Sequence, residues 1–231
     1  MMFDPLYMFV MFVGFALSGL ASLWVKSTVS KYSQVPTREG MTGAQIAQAI
    51  LDAEGIRDVR IERVGGFLSD HYDPSSRTLR LSPDIYGGRS VASAGIAAHE
   101  VGHALQHARG MVLMQVRQAL VPVANIGTQL GIWITVAGIF MGITGLSAVG
   151  VALFGGFVAF TLVTLPIELD ASWRAGRTLD KHKLLTASEL SGVRAVLTAA
   201  AATYLAATVT AILQLLYWAS RAGLLGGRRD D

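Results

Sequence analysis

His99-Glu100-Val101-Gly102-His103 sets two imidazoles four residues apart, with a carboxylate beside the first. On a helix this spacing turns both rings to one face, where they can share a metal ion, and leaves the glutamate able to work on that metal's water. The chemistry implied is hydrolysis by a zinc peptidase, with His99 and His103 as metal ligands and Glu100 as general base. Flanking signals agree with a helix: Ser90 offers an N-cap, Ala92, Ala94, Ala97 and Ala98 favour helix, and Gly110 can end it after Arg109. The alternative, a buried helix carrying two incidental histidines, leaves Glu100 in apolar surroundings without a partner. Gly102 keeps one side of the helix slim, for close approach of a neighbouring backbone or for simple packing.

A catalytic zinc usually takes three protein ligands and keeps one position for water. The chain has no cysteine, so the third must be histidine or carboxylate. His107 lies eight residues from His99, about 12 Å along an unbroken helix, too far for one ion to gather all three rings. The metzincin spacing fails as well, because Gln106 stands where its glycine belongs and Arg109 where its later histidine belongs. A carboxylate from another helix remains. Glu168, the first charge after a long uncharged run, is the candidate, with Asp170 beside it as a candidate for orienting a ligand. Each also has a plainer reading, Glu168 as an interfacial charge and Asp170 as a surface partner of Arg174. His71, in the polar cluster 70–76, is a candidate substrate contact or a solvated turn histidine.

The elements that must position these residues belong to a membrane protein. Of 231 residues 52% are hydrophobic, concentrated in runs long enough to span a bilayer. Four spans are expected, at 5–25, 119–143, 146–167 and 195–219, with Gly142 and Gly145 marking a hairpin tip between the second and third and with Tyr217 and Trp218 suiting an interfacial belt. The first run has no basic segment before it and reads as a retained anchor rather than a signal peptide. Lys26 and Lys31 after it, and Arg174, Arg177, Lys181 and Lys183 in a loop expected at 168–194, put those segments in the cytoplasm. Arg221, Arg228 and Arg229 conflict with that orientation if the last run crosses. The hairpin returns Glu168 to the side of the zinc helix at 91–109.

Residues 26–90 read as one small α+β subdomain. Thr42 can cap a helix with Ile46, Ala49, Ile50 and Leu51 on its apolar face, ended by Gly55. Val59, Ile61 and Val64 suggest one strand, and Thr78 to Ser82 another, a candidate edge for holding an extended substrate. The fold expected is mainly α and integral to the membrane, a single domain over 1–231. A net charge of +3 without a basic, aromatic-interleaved patch gives no sign of nucleic acid and suits contact with a lipid bilayer.

In Leu68-Ser69-Asp70-His71-Tyr72-Asp73-Pro74, Leu79-Arg80-Leu81-Ser82, Ala97 through Gln106, and Leu165-Pro166-Ile167-Glu168-Leu169-Asp170-Ala171-Ser172, the chain resembles the YugP-like membrane zinc metallopeptidases of bacteria. These are related in site logic to the CAAX-protease and HtpX-type membrane gluzincins. The resemblance covers nearly the whole chain and implies peptidase activity, with Glu168 as third zinc ligand. Ser172 falls where those relatives often carry an aspartate, which questions a supporting role there. The expectation is a zinc endopeptidase of the bacterial inner membrane, multi-pass, with one Zn2+ per chain and its site on the cytoplasmic side. Its substrate would be a polypeptide, chiefly a membrane protein, and a membrane-protein partner or oligomer is compatible with its Gly- and Ala-rich spans. A site-2-type intramembrane protease is disfavoured because the zinc helix is too polar to cross. A non-catalytic, zinc-stabilised scaffold is the other alternative, against which Glu100 argues, since a structural zinc needs no base.

Overall fold

A computed structural model of the chain describes residues 4–66 and 69–225. Leu68 of the first motif, and Arg228 and Arg229 of the orientation argument, lie outside the described residues. The elements in order are α1 (Pro5–Ser33), α2 (Gly43–Ala53), β1 (Arg60–Arg63), β2 (His71–Asp73), β3 (Thr78–Leu81), α3 (Pro83–Tyr86), α4 (Val91–Ala108), α5 (Val112–Ile126), a π-helical turn (Gly127–Gly131), α6 (Ile132–Phe140), α7 (Thr144–Lys181) and α8 (Ala187–Arg221). Among the described residues, four helical stretches are long and apolar enough to cross a membrane: α1, Val112–Phe140, α7 and α8. The chain is thus mainly α with a small mixed sheet, as its composition implies.

Contacts divide the described residues into two compact units. One takes residues 4–20, 115–166 and 204–225, the other 21–66, 69–114 and 167–203. In the first, the seam between α6 and α7 is made of small residues: a Cβ on Gly138 would lie 2.4 Å from Ser147 N, and one on Gly150 2.4 Å from Thr135 N. Close backbone approach of this kind is the usual way apolar helices associate where no hydrophobic effect drives them. Tyr217 and Trp218, expected at the interface, are buried instead against Tyr7, and Tyr217 donates to Asp4 Oδ2 at 3.1 Å. Periodicity could not separate a belt from an inner face, since both want an aromatic with a polar tip.

In the second unit, α2 begins at Thr42, whose hydroxyl accepts from Gln45 N while the Gln45 side chain accepts from Thr42 N, a reciprocal capping box. Its buried face is Ile46, Ala47, Ile50 and Leu51, with Ala47 rather than Ala49 innermost. Gly55 follows with φ +75°. The three-stranded sheet has the order β1-β3-β2, with β1 parallel and β2 antiparallel to β3. Two expectations are corrected here. The 70–76 cluster contains a strand, because Tyr72 packs into the core opposite Leu79 and its pairing overrides the weak strand propensity of the aspartates around it. And β3 is the central strand with both sides paired, so it offers no edge to a substrate; the edges are β1 and β2.

The β2–β3 turn is held by Asp73, whose carboxylate accepts from Ser75 N, Ser75 Oγ, Ser76 Oγ and Arg80 Nη1. Those bonds keep its pKa well below the usual carboxylate range. Asp70 spans the other end of the hairpin, accepting from Ser82 N and Ser82 Oγ, while burial raises its pKa. α7 is a further difference: the loop expected from 168 is helical through Lys181, and α8 begins at Ala187. Charge had marked the end of a hydrophobic run, but hydrogen bonding continues past it for about three and a half turns.

Candidate metal centre

α4 carries the two histidines and is almost wholly buried, lined by Ala94, Ala97, Ala98, Val101, Ala104 and Leu105. Ser90 caps its start by accepting from Ser93 N, and Gly110 at φ +65° closes its end, with Gly110 N and Met111 N returning to the His107 and Gln106 carbonyls. Small residues let α7 come close. A Cβ on Gly102 would stand 2.6 Å from Ala171 O, so the close-approach reading of this glycine holds and α7 lies directly on that face.

That contact sets Glu168 beside both imidazoles. Glu168 Oε2 is 3.2 Å from His99 Nε2 and 3.4 Å from His103 Nε2. One donor atom from each of the three residues lies within 4.8 Å of the others, an arrangement able to hold a metal ion. The rings stand nearly perpendicular, with centroids 4.8 Å apart. Glu168 is 2% exposed, so a carboxylate there is sustained by cationic or metal partners rather than by water.

The opposite ring nitrogens are fixed from behind. Gln106, fully buried, donates through Nε2 to Ile167 O and Asp170 Oδ2, both at 2.8 Å, which turns its Oε1 toward His103 Nδ1 at 2.9 Å. Two pure acceptors decide the amide's orientation, so His103 Nδ1 donates to Gln106 Oε1 and Nε2 is the nitrogen left facing Glu168. Asp170 is itself held by Arg174 Nε at 2.5 Å. On the other histidine, Ser172 Oγ lies 3.2 Å from His99 Nδ1, so the serine occupies the supporting position that its substitution for aspartate had cast in doubt. Burial pulls the pKa of His103 down, but the Glu168 carboxylate and the nearby Glu100 charge hold it above the ordinary histidine value.

Glu100 is buried one residue after His99. His107 is excluded from the cluster: its Nδ1 pairs with Tyr72 OH at 2.9 Å, tying the end of α4 to β2. His71 is exposed and bonded locally to Ser69 O. Gln106 and Ser172 are the two residues that sequence reasoning left without a role. Their spacing was suggestive, since Gln106 follows His103 by three and Ser172 follows Glu168 by four, the separations that share a helix face.

Three donors able to hold a metal ion, a buried glutamate beside one of them and four candidate membrane spans among the described residues occur together in this chain. Residues 7–223 match the family described as "putative neutral zinc metallopeptidase", and the chain belongs to that family. It is 40% identical over 211 residues, 91% of this chain and 94% of the relative, to the "putative membrane protease YugP" of Bacillus subtilis (strain 168). The resemblance seen in the motifs is thus borne out. No solved structure matches the chain.

Proposed function

We propose that this chain is a multi-pass zinc endopeptidase of the bacterial inner membrane, working as one domain with its site on the cytoplasmic side and cutting polypeptides in or at that membrane. The single observation that carries the reading is the convergence of His99 Nε2, His103 Nε2 and Glu168 Oε2 beside a buried Glu100. Two neutral imidazoles and one carboxylate fit zinc, and both histidines have their outer nitrogens occupied as metal-binding histidines do. One zinc per chain, bound there, polarises the scissile carbonyl and lowers the pKa of the attacking water.

The protein's own groups do the rest. Glu100 takes a proton from the water as its oxygen joins the scissile carbon, then delivers that proton to the amine nitrogen as the C–N bond breaks. Ser172 and Gln106 hold the two rings in the orientation that leaves Nε2 free. Asp170, through Gln106, keeps that amide from turning over.

The test is direct. Purified protein should contain zinc near one equivalent and cleave casein or a membrane-protein substrate in a chelator-sensitive way. Zinc without cleavage of any substrate would favour a metal-stabilised scaffold; absence of bound metal would remove the reading.

A further inference from the structure

The polar ends of α7 and α8 flank a groove of about 520 Å³, of whose lining the chemistry above uses only Ser172. Its lining is graded along the helices. Arg177 and Arg194 lie toward the charged ends of the two helices, Trp173, Gly176, Leu197 and Thr198 follow, and half-exposed Leu169 with Ala201 lie farthest along them. Eight residues of helix separate Leu169 from Arg177, so the apolar end of the lining lies about 12 Å along the helix from the charged end. The gradient follows the helices from their charged ends toward their apolar stretches, which is the direction from headgroup to hydrocarbon if both helices span.

The charged end is short of negative charge. Both arginines are exposed, and among the described residues neither has an ion-pair partner; Arg177 lies over the Trp173 ring, 4.9 Å from its centroid. Asp180, also at that end, is engaged by Lys183 Nζ at 3.0 Å. Two guanidinium groups facing one opening are matched to a phosphate, and a tryptophan beside them suits the headgroup level.

We propose that this groove binds one anionic phospholipid, its phosphate between Arg177 and Arg194 and an acyl chain along Trp173, Leu197 and Leu169. An extended polypeptide fits poorly, because the walls are helices whose backbone groups are already paired and would leave a peptide's amides unsatisfied. An acyl chain needs no hydrogen bonds. The groove shares Ser172 with the metal centre, so its occupant would brace the same turns of α7 that carry Glu168 and Ser172. The proposal rests on α7 and α8 being spans and is independent of the peptidase reading, since binding and cleavage are measured separately.

The experiment titrates the purified full chain in neutral detergent with phosphatidylglycerol and with phosphatidylcholine of the same acyl chains, and follows retention by native mass spectrometry. Phosphatidylglycerol should be held at least tenfold more tightly. Arg177→Gln with Arg194→Gln should reduce that preference below twofold, and the corresponding double lysine variant should restore most of it. Gly176→Phe keeps both arginines but fills the groove, since a Cβ there meets nothing within 4 Å; it should cost at least tenfold in binding of both lipids. An unchanged circular-dichroism spectrum serves as the check that each variant is folded. Equal binding of the two lipids, or a preference that survives the double glutamine substitution, overturns the proposal. So does inorganic phosphate binding as tightly as the lipid, or an apolar peptide displacing it from the unaltered chain.

Discussion

Gln106 Oε1 accepts the Nδ1 proton of His103 at 2.9 Å, and the other end of the same amide is anchored to Ile167 O and Asp170 Oδ2 across the α4–α7 interface. One buried side chain therefore couples the tautomer of an α4 histidine to the position of the helix that brings Glu168.

Gln106→Met, similar in length and without the amide, should weaken zinc binding by about 10- to 100-fold, the usual cost of losing a group that orients a metal-bound histidine. Competition with a chromophoric chelator measures it. An unaltered zinc affinity would show that the amide only fills space.

Glu100→Gln should retain zinc and lose cleavage by about 10²- to 10⁴-fold, because the three donors remain while the proton acceptor is gone. Metal content and turnover on the same sample separate the two effects. Undiminished, chelator-sensitive cleavage would falsify the assignment of Glu100 as base.

Zinc occupancy should rank three further variants. Glu168→Ala removes a donor and the charge that balances the metal, so it should fall most steeply. Asp170→Ala, acting through Gln106, should be intermediate, and His107→Ala should match the parent because that ring is occupied with Tyr72. Loss of metal in His107→Ala with retention in Glu168→Ala would reverse the assignment.

Glu54 joins α2 to the ends of α4 and α7, accepting from Arg109 Nη2 at 2.7 Å and Lys181 Nζ at 2.8 Å, with His182 Nε2 also at 2.8 Å. Burial alone would raise its pKa, but Lys181, His182 and Arg109 hold it below the ordinary value. A depressed folded-state pKa contributes stability in full above the unfolded pKa of about 4.3, and that stability is lost as pH falls through the folded value. Glu54→Gln should therefore lower the Tm at pH 7 and flatten its decline below about pH 4.5, narrowing its gap to the parent in acid. Parallel melting curves of equal offset at pH 7 and in acid would show that the carboxylate charge is not what matters.

What the sequence determined by itself is local. The capped α4 helix with its two histidines on one face, the apolar runs and the capped α2 follow from spacings of three, four and about twenty residues, each enforced by backbone geometry or bilayer thickness. The same logic excluded His107 from the cluster, because distance along a helix is fixed by its rise. Tertiary structure decided what depends on contacts between distant segments. Glu168 meets His99 across 69 residues, and Ser172 reaches the same histidine across 73. Gln106 reaches Asp170 across 64, an attachment that no periodicity encodes. The strand at His71–Asp73 and the central place of β3 were hidden for the same reason: pairing is a property of two segments, and the aspartates that look like turn formers alone become anchors once Leu79 receives Tyr72.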